Sequence, residues 1–141
     1  MKSILKFPAS QMDWVLLYCR FMSIFALQGV VLLTLYALRG FETNPDLMPP
    51  GLRLDPTHSV IHLVTGLLGM YFGFLRPSGA LLFLRIFTVF YLLLAVFGTF
   101  TDIHFGMQLE FEENTLHWPL AVLAGLIAFT PLFSTHRLNQ P

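Results

Sequence analysis

The sequence predicts an all-α integral membrane protein, a four-helix bundle built from two tandem helical hairpins within one domain, residues 1–141. Hydrophobic residues make up 55% of the chain and charged residues only 11%, which is too few charges to cover the surface of a soluble domain. Four apolar runs approach the length of about 20 residues that crosses a bilayer. The two halves of the chain also resemble each other in sequence, which predicts the paired hairpins.

Capping residues set the predicted starts of the first two helices. Ser10 followed by Asp13 resembles a capping box and places the start of the first helix near Gln11. Asp55 suits the N-cap of the second helix, and Pro56 suits its first position, where a missing N–H costs little. Both apolar runs then continue far enough to cross a membrane. We therefore expect spans at about 11–38 and 56–75.

A tight turn and a second capping residue delimit the other two helices. The turn at 76–79 contains proline and glycine, which interrupt helices. The third span is expected at about 79–101. Asn114 is the expected N-cap of the fourth span, at about 114–133, and Pro119 falls in its first turns, where proline is tolerated.

The charges predict that both termini lie in the cytoplasm. Six of the eight basic residues belong to one side of the predicted membrane: Lys2, Lys6, Arg20, Arg76, Arg85 and Arg137. Seven of the eight acidic residues belong to the opposite loops: Glu42, Asp46, Asp55, Asp102, Glu110, Glu112 and Glu113. Basic residues favour the cytoplasmic side, so the acidic loops are expected on the non-cytoplasmic side.

An internal repeat relates the two hairpins. Residues 84–90 match residues 19–25, and the segment from 113 onward matches the segment from 58 onward. Both copies have the same orientation, so the implied pseudo-twofold axis runs along the membrane normal. His62 and His117 then occupy equivalent positions at the outer ends of two parallel helices.

These helix ends are the predicted binding site. His58 and His62 are one turn apart on the same helix face, and the repeat places Glu113 and His117 in the same relation. His58, His62, Glu113 and His117 form a plausible ligand set for zinc or a similar metal. His62 and His117 could instead hold a haem or chlorophyll. A third interpretation is that each histidine only hydrogen-bonds a neighbouring carbonyl.

Other residues are predicted to pack or anchor the helices. Arg20 and Arg85 lie near cytoplasmic helix ends, from which their side chains can reach the interface, and Trp14 suits an interfacial anchor. An ion or anionic-lipid site is the alternative for the two arginines. Small residues at helical spacing are expected to let helices approach closely: Gly66, Gly69, Gly73, Ala121, Gly125 and Ala128.

The two histidine motifs resemble those of a family of small four-helix bacterial and cyanobacterial membrane proteins, catalogued as domain of unknown function 4383. The motifs read Asp55-Pro56-x-His58-x-x-x-His62-x-x-x-Gly66-x-x-Gly69 and Glu113-Asn114-x-Leu116-His117. The resemblance covers roughly residues 14–133. It implies the four-span bundle and a bacterial inner or thylakoid-type membrane. No activity follows from it.

Function is therefore weighed from the residues. No catalytic arrangement or phosphate loop is present, and the net charge of zero gives no basis for nucleic-acid binding. We expect a non-enzymatic accessory subunit, in contact with lipid and with another membrane protein or a second copy. Gentle purification with a tag would test this role. The alternative is a metal, haem or pigment binder. A transporter would need a polar path, for which few residues are available: Gln28, Thr34, Thr65, Thr88 and Thr99.

Overall fold

The computed structural model describes residues 10–40, 55–101, 107 and 111–130, with side chains of the last range from residue 114 onward. Five α-helices occur in these ranges: α1 (Gln11–Met22), α2 (Ile24–Leu38), α3 (Pro56–Met70), α4 (Ala80–Phe100) and α5 (Phe111–Phe129). α1 and α2 form one apolar segment, Gln11–Leu38. The described chain is therefore an all-helical protein of four helical segments, as the sequence predicts.

A turn at Ser23 separates α1 from α2. Its N–H bonds the carbonyl of Arg20 at 3.2 Å, and the N–H of Ala26 bonds the carbonyl of Ser23 at 3.1 Å. The Ser23 hydroxyl also donates to the Arg20 carbonyl, a form of back-bonding that is common for serine in helices. After this turn α2 packs mainly on α3, while α1 contacts α3, α4 and α5.

Local capping explains where α1 and α3 begin. The capping box of Ser10 and Asp13 is present, which confirms that prediction. The Asp55 side chain accepts the N–H of His58 at 3.0 Å, and Pro56 is the first helical residue. α3 continues into a π-helical turn, Tyr71–Leu75, and a 3₁₀ turn, Pro77–Gly79, leads into α4.

α5 begins at Phe111, three residues before the expected start. The prediction that Asn114 caps this helix is therefore wrong, because Asn114 lies inside it. Pro119 consequently falls deeper in the helix than expected. The predicted end near residue 133 lies outside the described residues.

The helices pack as two antiparallel pairs, α2 with α3 and α4 with α5. A Cβ added at Gly66 of α3 would meet the backbone of Ala26, and one added at Gly29 of α2 would meet Ser59 and Leu63. Contacts nearer the C-terminus of α2 therefore involve residues nearer the N-terminus of α3, so the two helices are antiparallel. The shared core of α1, α4 and α5 comprises Val15, Tyr18, Cys19, Met22, Ala80, Phe83, Leu84, Phe87, Tyr91, Ala121, Ala124, Ile127 and Ala128.

Arginine side chains of α1 and α4 bond carbonyls near the ends of the helical segments that follow α3 and form α5. The last carbonyls of a helix have no intrahelical partner. Arg20 Nε donates to the Gly73 carbonyl at 2.9 Å, and Arg85 Nε donates to the Ala128 carbonyl at 3.4 Å. Each guanidinium also lies over a phenylalanine ring. Both predicted anchors therefore hold a neighbouring helix end.

Within the described ranges, three helical segments are long and apolar enough to cross a membrane: Gln11–Leu38, Pro56–Leu75 and Pro77–Phe100. The stretch Asn114–Phe129 is apolar but shorter. Large apolar side chains are exposed on the outer faces, among them Leu27, Leu82 and Leu116. Such surfaces suit a lipid environment.

Candidate metal centre

Two of the three histidines at the centre come from the first two turns of α3. The N-cap Asp55 and the proline after it start the helix, which places His58 and His62 four residues apart on one face. Their rings meet edge to face, with centroids 4.4 Å apart. The local sequence alone is thus sufficient to pair these two imidazoles.

The third histidine comes from α5. The ring centroid of His117 lies 5.7 Å from that of His58. One ring nitrogen from each of His58, His62 and His117 can be chosen so that all three lie within 4.8 Å of one another. The structure therefore brings together three of the four predicted metal ligands. The fourth, Glu113, belongs to α5, but its side chain lies outside the described residues.

The three rings are largely removed from solvent. His62 is 8% exposed and His117 is 2% exposed, while His58 is half-buried. Phe25 of α2 lies 4.9 Å from His62, and Tyr91 of α4 lies 5.5 Å from His117, both measured between ring centroids. Four helices thus contribute to a small site whose nearest walls are aromatic. Neither Phe25 nor Tyr91 was singled out from the sequence.

Asn114 connects His117 to α4. Its amide Nδ2 donates to the Thr99 hydroxyl at 2.7 Å and to the Ala95 carbonyl at 3.2 Å. Its Oδ1 lies 3.3 Å from Nδ1 of His117. Trp118 Nε1 donates to the same Thr99 hydroxyl at 3.0 Å. Asn114 is 4% exposed, so these contacts replace its hydration almost completely.

Three threonines of the described helices bond their own backbone. Thr34, Thr88 and Thr99 each donate their hydroxyl to the carbonyl four residues earlier, as uncharged threonines in membrane helices commonly do. Thr99 alone among these three also accepts side-chain hydrogen bonds. Its role next to the histidines was missed because its partners lie on α5.

The remaining predicted residues lie away from the histidines. Arg20 and Arg85 both lie at the end of the bundle opposite the histidines, where they bond the carbonyls of Gly73 and Ala128. Trp14 packs against the core of α1, α4 and α5. The small residues lie at helix contacts: a Cβ on Gly66, Gly69 or Gly73 would meet α1 or α2, a Cβ on Gly125 would approach Thr88, and Ala121 and Ala128 are buried.

The chemistry of the cluster suits a transition metal. Three imidazoles and an open fourth position are a common zinc arrangement. Bond lengths of about 2.0–2.1 Å and tetrahedral angles require ligand nitrogens about 3.3 Å apart. The three nitrogens lie within 4.8 Å of one another, so binding would require them to move closer by up to about 1.5 Å. His62 Nδ1 is buried and has no hydrogen-bond partner among the described residues, which leaves a donor atom for a ligand.

Comparison with known proteins identifies a family but no activity. The family model described as "Domain of unknown function (DUF4383)" matches residues 14–130. No curated protein matches the chain. No solved structure matches it either.

Proposed function

We propose the function of this chain from its own side chains, because it belongs to the DUF4383 family, whose description assigns no activity. The chain is proposed to be an integral membrane protein that binds one divalent transition metal, of the zinc class, at His58, His62 and His117. The observation that carries it is the convergence of three ring nitrogens within 4.8 Å from two different helices.

Burial supports a bound ion over an accidental cluster. Leaving a buried polar atom without a hydrogen bond costs about 1–3 kcal/mol, and His62 Nδ1 is such an atom among the described residues. A metal ion coordinated by the lone pair of His62 Nδ1 would offset that cost. Neutral imidazole is a suitable ligand for zinc, copper, nickel and iron.

The geometry favours a metal ion over a haem or chlorophyll. A macrocycle held by two axial histidines needs a flat cavity between the two rings. The predicted axial pair was His62 and His117, and the ring of His58 lies beside both of them, with centroids 4.4 Å and 5.7 Å away, so a third imidazole occupies part of the space that a macrocycle would need. The apolar grooves of about 450 Å³ between α3 and α4 and about 550 Å³ between α1 and α5 have no histidine in their linings.

The membrane orientation is part of the proposal. Three segments have the length and composition of spans, and the antiparallel pairing places the histidines at one end and both arginines at the other. The basic residues favour the cytoplasm for the arginine end. The matching contacts of Arg20 with Gly73 and of Arg85 with Ala128 support the internal repeat, because residues 73 and 128 have the same spacing as the equivalent histidines 62 and 117.

The role of accessory subunit stays a prediction beside this one. The large apolar side chains of α2, such as Leu27 and Leu38, are exposed, and either lipid or a neighbouring helix could cover them. A metal site would be compatible with membership of a larger assembly. Metal binding by the purified single chain therefore tests the metal site, whereas co-purification of a partner protein from native membranes in gentle detergent tests the accessory role.

The test uses the full chain in detergent, stripped with a chelator and titrated with Co²⁺ and then Zn²⁺. We expect one equivalent of Co²⁺ to produce the visible absorption bands of a tetrahedral nitrogen site, and Zn²⁺ to abolish them. Zn²⁺ at 100 times its dissociation constant should also stabilise the fold by about 2.7 kcal/mol, which chelation would remove.

Single substitutions identify the ligands. His62→Ala and His117→Ala should each weaken Co²⁺ binding by more than about 100-fold, since loss of an outer-shell partner alone costs about 10–100-fold. His136→Ala is the matched control, because residue 136 belongs to neither histidine motif. A folded wild-type chain that binds no Co²⁺ or Zn²⁺, or His variants that bind as wild type, would refute the metal site.

A further inference from the structure

We propose that Asn114 is a positioning residue that holds His117 in the tautomer with its proton on Nδ1, which leaves the lone pair on Nε2. The tautomer follows from hydrogen bonds within the protein. Only the consequence for metal affinity rests on the proposed function.

The orientation of the Asn114 amide is determined by α4. The carbonyl of Ala95 can only accept hydrogen bonds, so the amide atom 3.2 Å from it must be Nδ2. The Thr99 hydroxyl donates its one proton to the same carbonyl at 2.7 Å. Towards Asn114, 2.7 Å away, Thr99 can therefore only accept, which again requires Nδ2 on that side. Trp118 Nε1, which is only a donor, is consistent with this assignment.

The proton on His117 follows from the orientation of that amide. With Nδ2 directed at α4, the atom that faces His117 is Oδ1, 3.3 Å from ring nitrogen Nδ1. An amide oxygen only accepts, so Nδ1 must carry the proton. In a neutral imidazole the other nitrogen then has the lone pair, which is the state that a metal ligand needs. A hydrogen bond of this kind to the second ring nitrogen orients ligand histidines generally.

Gly98 provides the space for the amide. A Cβ added there would lie 2.8 Å from Asn114 Oδ1 and 2.9 Å from its Cγ. A methyl group at residue 98 would therefore push the carboxamide out of line with His117 without removing any polar group. Gly98→Ala thus perturbs the same interaction by a second and independent route.

The test measures the tautomer in the metal-free protein. Histidine labelled with nitrogen-15 distinguishes the two neutral tautomers by the chemical shifts of the ring nitrogens, and the His117 signals are assigned by their loss in His117→Gln. We expect the Nδ1–H form in wild type. Asn114→Leu and Gly98→Ala should each shift His117 towards the Nε2–H form. Asn114→Asp does not serve as a conservative control, because its second oxygen would face the Ala95 carbonyl, which also only accepts.

Metal affinity provides the second readout. Asn114→Leu should weaken Co²⁺ binding by about 10–100-fold. An Nε2–H tautomer in wild type, or a tautomer unchanged in both Asn114→Leu and Gly98→Ala, would overturn the inference. If the tautomer responds as expected but wild type binds no metal, the positioning role stands and the proposed metal site fails. If Asn114→Leu does not fold, Gly98→Ala decides alone.

Discussion

Replacing Gly66 by alanine tests whether the contact between α2 and α3 has room for even one methyl group. The new Cβ would lie 2.0 Å from the backbone nitrogen of Ala26 and 2.7 Å from its Cα. Ordinary contacts begin at 3.4 Å, so the two helices would have to separate locally by about 1.4 Å. Because the obstructing atoms are backbone, no rotamer change of Ala26 can relieve the clash.

The expected loss of stability is large for so small a change. A gap of about 0.5–1 Å already removes a quarter to a half of each dispersion contact, and the separation needed here is larger. Overpacking typically costs about 1–3 kcal/mol, and we place Gly66→Ala at the upper end, about 3 kcal/mol. Helices in lipid depend on such contacts, since little hydrophobic drive holds them together.

Gly125→Ala is the matched control on α5. Its Cβ would meet only the Thr88 Cγ2 methyl group, at 3.1 Å. A small movement of that side chain would relieve the contact. The better helix propensity of alanine, up to about 1 kcal/mol, offsets that contact, so we expect a change within about 1 kcal/mol. The measurement is unfolding by SDS titration in mixed micelles, followed by far-UV circular dichroism. Equal free energies of unfolding for the two variants would refute the inferred close approach of α2 and α3.

Two further predictions concern the arginine end of the bundle. Arg20→Met should lower the free energy of unfolding by about 1–2 kcal/mol, because a charged donor to a terminal carbonyl is lost; Arg85→Met should cost less, since its hydrogen bond is 3.4 Å long against 2.9 Å. The same SDS titration measures both, and a reversed order would contradict the bonding described. In a Cys19→Ser background, an impermeant maleimide added to spheroplasts should label Thr57→Cys and not Ser78→Cys. Labelling of Ser78→Cys from outside would refute the proposed orientation.

Much of the helical architecture could be predicted because its causes are local. Asp55 accepts the N–H of a residue three positions later, and a helical period of about 3.6 residues then places His58 and His62 together. Apolar length likewise depends only on consecutive residues. The start of α5 was predicted less well, since asparagine favours caps in general but Asn114 has polar partners on α4 that no neighbouring residue reveals.

The arginines show how a correct local argument can miss a contact. Their position near a helix end predicted side chains extended towards the interface. The structure directs Nε of Arg20 to the Gly73 carbonyl, because the neighbouring helix ends there with an unpaired acceptor. Which helix lies beside Arg20, and at what height, depends on packing between segments 53 residues apart in the chain.

The chain's own order of residues therefore determined the helices, their apolar faces and the pairing of two imidazoles on α3, all of which depend on neighbours within a few turns. The internal repeat also predicted that His117 belongs to the same cluster, whereas the tautomer that Asn114 imposes on it and the use of Thr99 as an acceptor were decided by tertiary structure. Those features depend on the rotation and crossing of α5 against α3 and α4. Small residues such as Gly98 permit that approach, but their spacing does not specify which side chains meet across it.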